Sequence, residues 1–298
     1  MITIEKNVRP EEVRQGARHV LFVEGKDDQA IDPLVLNTFL INAGNAIRVE
    51  PLGPSFHIRS AAAALYRYHP DYYFLIDRDH FDDAFVQKCW DKFPDPDTSN
   101  LLIWYRRELE NYFIIPEYIL KSQYLAVSED ELRQSILGCC RRRLFFDAAN
   151  QVIIWIREEF KKNWIELFKT MDNVKTKDDA LNKLIEMPEF TNKKDVVSKQ
   201  LEKEKISRMF LEILDRLTGG KEEIDYGCGQ WLQLLRGKEV LPTIAHKCFR
   251  VEDASGRILQ GSGKINEMVK DLVRKPLEDQ PEDFQKLHRV INERVKTR

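Results

Sequence analysis

Apolar residues follow two different rhythms along this 298-residue chain. Up to about residue 116, short apolar runs occupy 19–24, 46–52, 72–77 and 101–105, with helical periodicity between them at about 27–43 and 56–68. Short strand-like runs closed by charge or turn residues and alternating with helices predict βαβ units in a parallel-rich α/β sheet. Beyond residue 116 the pattern is almost entirely helical. Ser128-Glu129-Asp130-Glu131 forms a capping box before Leu132, and a long helix is predicted from there through Trp155 towards Phe160. Further helices are expected at 176–187, 193–217, 229–247, 264–273 and 281–295, punctuated by Gly219-Gly220, Asp225-Tyr226-Gly227 and Gly261-Ser262-Gly263. The expected organisation is an α/β domain over 1–116 followed by a mainly α-helical region over 117–298, without internal repeats or low-complexity tracts.

Two of the strand-like runs end abruptly in acid. Phe22-Val23-Glu24-Gly25-Lys26-Asp27-Asp28 is one, and Phe74-Leu75-Ile76-Asp77-Arg78-Asp79-His80 is the other. Open α/β sheets place ligands at the carboxyl edge of their strands, so Glu24, Asp77 and Asp79 are expected to converge there. Gly25 would provide a tight turn that exposes Glu24. Asp77 and Asp79 occupy alternate positions and would share a face if the strand continued that far. Converging carboxylates repel one another, and a divalent cation between them removes that cost. Hard oxygen ligands suit Mg²⁺ or Mn²⁺. Asp28, in the first turn of the following helix, is either a further ligand or a complement to the helix dipole. Asp82 and Asp83 read as surface charges or a helix cap.

A third segment, Trp104-Tyr105-Arg106-Arg107-Glu108-Leu109-Glu110-Asn111-Tyr112-Phe113, supplies two more acids, Glu108 and Glu110, that compete for one position. Lys26, Arg78, Arg106 and Arg107 border the same edge as candidate phosphate-binding groups, each with the alternative of an ordinary surface charge.

Glu24-Gly25 after one strand and Asp77-Arg78-Asp79 after a later one resemble the signature of the Toprim domain shared by topoisomerases, primases and several nucleases. With Asp28 four residues after Glu24 and the acidic third segment, the chain is similar to the Toprim nuclease subunits of PARIS anti-phage defence systems. The resemblance is carried by residues 17–116 and continues more softly through Trp231-Leu232-Gln233-Leu234-Leu235-Arg236-Gly237-Lys238-Glu239-Val240-Leu241. It implies a Rossmann-like Toprim fold and metal ligands at Glu24, Asp28, Asp77, Asp79 and, in preference to Glu108, Glu110. It also implies a toxic effector that cleaves host tRNA, is held inactive by an ABC-type or AAA-like ATPase partner, and works as a homodimer after a phage trigger releases it. In such chemistry two metals stabilise the attacking and leaving oxygens, with Glu24 either bridging them or serving as general base. Alternatives are a DNA nuclease of the overcoming-lysogenisation-defect type, although this chain lacks their fused ATPase, and a binding or regulatory module without catalysis.

Composition narrows the remaining choices. Charged residues make up 32 % of the chain, yet the net charge is only −2, so any nucleic-acid contact would need a local patch. Arg141-Arg142-Arg143, Lys161-Lys162, Lys193-Lys194 and Lys203 with Lys205 are candidates, each weighed against a solvated helix face; Trp155 and Trp164 read as core. Five cysteines without CxxC spacing argue against a zinc site or a disulfide framework. The six histidines lack metal-ligand spacing, and Gly261-Ser262-Gly263-Lys264 fails as a phosphate loop because Ile258 stands where the first glycine belongs. No signal peptide or membrane span is expected, and a cytoplasmic location fits.

Overall fold

A computed structural model describes residues 19–44, 47–93, 100–162, 178, 181–182 and 188–296. The four expected strands form, as β1 (His19–Val23), β2 (Ile47–Pro51), β3 (Tyr72–Ile76) and β4 (Leu101–Ile103). They make one wholly parallel sheet in the order β2-β1-β3-β4. Leu21, Val23, Tyr73, Phe74, Ile76, Leu102 and Ile103 are fully buried, which is the physical reason the runs of β1, β3 and β4 are continuous, whereas β2 at the sheet edge alternates Ile47 and Val49 with Arg48 and Glu50. The crossovers carry α1 (Ile31–Asn42), α2 (Ser55–Leu65) and α3 (Asp83–Lys92). The pattern did not announce α3. Asp82 caps it by accepting a hydrogen bond from the Phe85 N–H at 2.7 Å, the role of helix cap that the sequence allows it.

A 3₁₀ segment, Leu109–Ile114, and the short α4 (Pro116–Ile119) succeed the sheet. After them come α5 (Glu129–Lys162), α6 (Pro188–Gln200), α7 (Lys203–Thr218), α8 (Trp231–Leu234), α9 (Gly237–Cys248), α10 (Gly261–Val273) and α11 (Glu282–Lys296). The expected capping box starts α5: Ser128 N–H and hydroxyl donate to the Glu131 carboxylate, and the Glu131 N–H donates back to the Ser128 hydroxyl. The helix expected over 193–217 is two helices that part at Leu201-Glu202, and that expected over 176–187 lies largely outside the described residues. No helix among the described residues is long and apolar enough to cross a membrane.

Two compact units result. One comprises Met1–Cys140 together with Leu232–Arg298, the other Arg141–Trp231. The units therefore do not follow the change of rhythm near residue 116, because residues 232–298 belong to the same unit as the sheet. Phe284 of α11 touches the rings of Phe39, Trp104 and Tyr112 at centroid distances of 5.2, 5.3 and 5.0 Å. Helix α9 packs on the 3₁₀ segment, and α10 on α1. In the second unit the basic cluster is internally engaged: Arg141 lies 3.2 Å from Glu223, and Arg143 2.8 Å from Asp147. Trp155 is not core. It is 38 % exposed, with the Lys205 ammonium 5.2 Å from its ring, because this face of α5 meets a charged stem rather than an apolar layer. Trp164 and the side chains of Lys161 and Lys162 lie outside the described residues.

Gly25 adopts φ +145° and exchanges backbone hydrogen bonds with Gly53, and a Cβ at this position would stand 3.0 Å from the Ala30 Cβ. Gly25→Ala is expected to lower the unfolding free energy by about 1–3 kcal/mol, through backbone strain and that close approach, measured by urea denaturation.

Candidate acidic site

The strand order reverses between β1 and β3, since β2 lies on one side of β1 and β3 on the other. A crevice opens at the carboxyl ends of strands at such a switch point. Glu24 follows β1 and Asp77 follows β3, and the Asp77 N–H donates to the Glu24 carboxylate at 3.0 Å. Asp77 is 1 % exposed. One of its oxygens accepts from the Leu109 N–H at 3.0 Å, and the other from the ammonium of Lys238 at 2.7 Å. Asp79 does not continue the strand beside Asp77. It turns into the left-handed region at φ 49°, its N–H donates to the Arg107 carbonyl at 3.1 Å, and its side chain lies at the exposed mouth within electrostatic reach of Lys238. An aspartate held at positive φ is strained, and such strain is characteristic of functional turns.

The two acids of the third segment have different surroundings. Glu108 is fully engaged: its oxygens accept from Arg236 Nε at 3.2 Å and from the Lys238 backbone N–H at 2.8 Å. Glu110 is 6 % exposed, and its Oε2 is buried without a hydrogen-bond partner. A buried carboxylate oxygen with no donor is costly unless it is protonated or meets a cation. Asp32, in the first turn of α1, is a further buried acid of this cluster and was not singled out by any motif. Asp28, by contrast, lies exposed on the turn before α1, so the structure does not bring it among the buried acids.

Lys238 is the other residue that the motifs did not single out. It comes from the start of α9, and Asn111 delivers it. The Asn111 amide donates to the Leu232 and Leu235 carbonyls at 3.1 and 2.8 Å, while its oxygen accepts from the Glu108 and Gly237 N–H groups at 3.1 and 3.3 Å. Gly237 fits because a Cβ there would stand 2.6 Å from the Asn111 nitrogen. Arg107 and Gln233 complete the clamp, since the Arg107 N–H donates to the Gln233 carbonyl and the Gln233 amide to the Tyr105 carbonyl, both at 2.9 Å.

Three candidate phosphate ligands serve the scaffold instead. Arg78 is 1 % exposed and donates to the Phe81 and Tyr105 carbonyls and to Asp83. Arg107 is buried and donates to the Leu234 carbonyl. Arg106 donates to the Leu232 carbonyl and lies over the Tyr112 ring. Buried guanidinium groups need acceptors, and the carbonyls of these turns accept from all three. Lys26 remains exposed near the Glu24 turn. Lys264 of the rejected phosphate loop is buried, with its ammonium on the His246 carbonyl at 3.2 Å.

Electrostatics reflect this crowding. Burial, then the neighbouring Asp77, pushes the Glu24 carboxyl up to about 7. Burial raises Asp77 to about 6 against the pull of Lys238, and raises Glu110 to about 8. The Lys238 ammonium is held charged, its pKa raised by Asp77, Glu110 and Asp32 against its own desolvation. Among the described residues no three His, Cys, Asp or Glu side chains already stand in a ligand arrangement, and Lys238 supplies the central positive charge. The chemistry of the set still fits Mg²⁺ or Mn²⁺: hard carboxylate oxygens, one of them orphaned in Glu110, at the edge where such sheets bind ligands.

Two outcomes are expected. In the metal-free protein Glu24, Asp77 and Glu110 all bind protons more tightly folded than unfolded, so the stability these three groups contribute is fully present below about pH 4 and is lost as pH rises through about 6 to 8. Melting temperatures in EDTA across pH 4–8 check this, and Mg²⁺ should flatten the decline. Lys238→Met should destabilise the metal-free fold at pH 7 by about 1–2 kcal/mol. That is less than the ~3–5 of a fully buried pair because the ammonium side of this pair is partly solvated. Chemical denaturation measures it.

No protein-family model, curated protein or solved structure matches this chain, so the assignment of the site rests on its own geometry.

Proposed function

We propose that the chain is a divalent-metal-dependent nuclease of the Toprim type, acting as the toxic effector of a phage-defence system. The observation that carries this reading is the gathering of Glu24, Asp77 and Glu110, with Asp79 at the mouth, around one lysine at the switch point of a parallel sheet. Bound Mg²⁺ or Mn²⁺ would be held by Glu24, Asp77, Asp79 and Glu110, and would polarise the phosphoryl oxygen and supply hydroxide from bound water. The protein's own groups do the rest. Glu24, half-buried at the end of β1, would either hold the ion or, where it does not, accept a proton from the attacking water. Lys238 offers a fixed ammonium to the extra negative charge of the transition state. Lys26 is the candidate phosphate ligand that stays on the open side.

The motif resemblance supports tRNA as substrate, an ABC-type or AAA-like ATPase partner that restrains the nuclease, and a homodimer as the active form. A second reading, a binding or regulatory module, is favoured by the 2.7 Å Lys238–Asp77 ion pair, which neutralises the acid most central to metal binding.

Purified chain incubated with Mg²⁺ or Mn²⁺ and tRNA, single-stranded RNA or duplex DNA tests both. Cleavage of tRNA is expected, abolished by EDTA and reduced by more than about a hundredfold in Glu24→Ala. Preferred cutting of duplex DNA would replace the tRNA assignment. Equal activity in Glu24→Ala or in EDTA would overturn the proposed chemistry, and nucleic-acid binding without cleavage under all conditions would establish the binding module. In cells, co-expression of the ATPase should suppress growth arrest by the wild type until phage infection.

A further inference from the structure

Asp32 has no place in the acidic motifs, yet it is 5 % exposed and accepts no hydrogen bond among the described residues. Its position is fixed by the Glu24 turn. A Cβ on Gly25 would meet Ala30 at 3.0 Å and Pro33 at 3.3 Å, so the residues on either side of Asp32 pack directly on the turn that carries Glu24. After burial itself, the strongest influences on its carboxyl are repulsion by Asp77 and Glu110 and attraction by Lys238, all side chains of the site. The second, independent observation is the Glu110 Oε2, buried without a partner on a side chain only 6 % exposed. Two buried carboxylates that repel each other, one with an orphaned oxygen, are a poor structural device. Hydrophobic residues of similar volume would make a more stable core. A shared cation gives both a partner.

We infer that Asp32 and Glu110 together bind one divalent cation of the acidic site, with Asp32 in the ligand role that the sequence pattern gives to Asp28. This rests on the metal-dependent reading and names a ligand that the motifs do not contain. Asp28 is exposed, whereas Asp32 lies one helical turn further on and is buried among the influences of Asp77, Glu110 and Lys238.

The test uses the full chain, stripped with EDTA and titrated with Mn²⁺, with binding read by calorimetry and by loss of the free Mn²⁺ electron-paramagnetic signal. Asp32→Asn should weaken Mn²⁺ binding by more than about tenfold, and Asp28→Asn by less than about twofold. Glu110→Gln should match Asp32→Asn, and the double variant should be little worse than either single one, because both remove the same ion. Without metal, Asp32→Asn should melt no lower than the wild type, since an amide removes a repelling charge. Unchanged Mn²⁺ affinity in Asp32→Asn overturns the inference and leaves the metal-dependent reading standing, whereas a wild type that binds no Mn²⁺ overturns both. Should Asp32→Asn fail to fold by circular dichroism, Asp32→Glu decides: a lengthened ligand changes Mn²⁺ affinity, and an affinity equal to wild type overturns the assignment.

Discussion

The contact of the Lys238 ammonium with Asp77 is the interaction on which the rest of the acidic edge depends. Several carboxylates removed from water at one sheet edge cannot all be ionised without compensation, because desolvation costs several kcal/mol per ion and their mutual repulsion adds to it. Lys238 supplies that compensation from within the chain. Its ammonium is attracted to Asp77, Glu110 and Asp32 together, and it offsets part of the burial that pushes these carboxyls up.

That dependence explains the scaffold around it. An ammonium is a compact charge on a flexible stem, and its usefulness depends on how firmly its backbone is placed. Asn111 fixes the 232–237 segment through hydrogen bonds made by both ends of its amide, and Glu108 accepts the Lys238 backbone N–H. Buried arginines tie the loops to either side: Arg78 closes the turn after Asp77, and Arg107 holds the Leu234 carbonyl. Residues that look catalytic by charge thus act as framework, while the group at the centre comes from a helix start far along the chain. The proposed metal chemistry has to work with this lysine in place, either beside the ion or displaced from Asp77 by it.

Strands β1, β3 and β4 were legible because burial on both faces leaves a continuous apolar signature, and β2 because its exposed edge face leaves an alternating one. Glu24, Asp77 and Asp79 were legible because each breaks such a run at its carboxyl end, where parallel sheets bind ligands. Helix α3 was missed because its exposed face dilutes the helical rhythm, although its cap at Asp82 was in view. Asp28 and Asp32 show the limit of spacing arguments: a loop of a few residues before α1 shifts which acid points inward, and nothing in the linear pattern measures that loop's path. Trp155 shows another limit, since a large ring is stabilised by a lysine stem as well as by a core.

By itself the sequence determined the parallel α/β sheet, its acid-terminated strands and the helical character of the chain beyond them, since all of these arise from local periodicity and from where apolar runs stop. Only the tertiary structure decided that residues 232–298 return to the sheet, that Glu108 is engaged while Glu110 keeps an orphaned oxygen, and that Lys238 stands among the acids. The reason is physical: compensation of buried charge acts through space over a few ångströms, and the partners it selects can lie 161 positions apart, as Asp77 and Lys238 do.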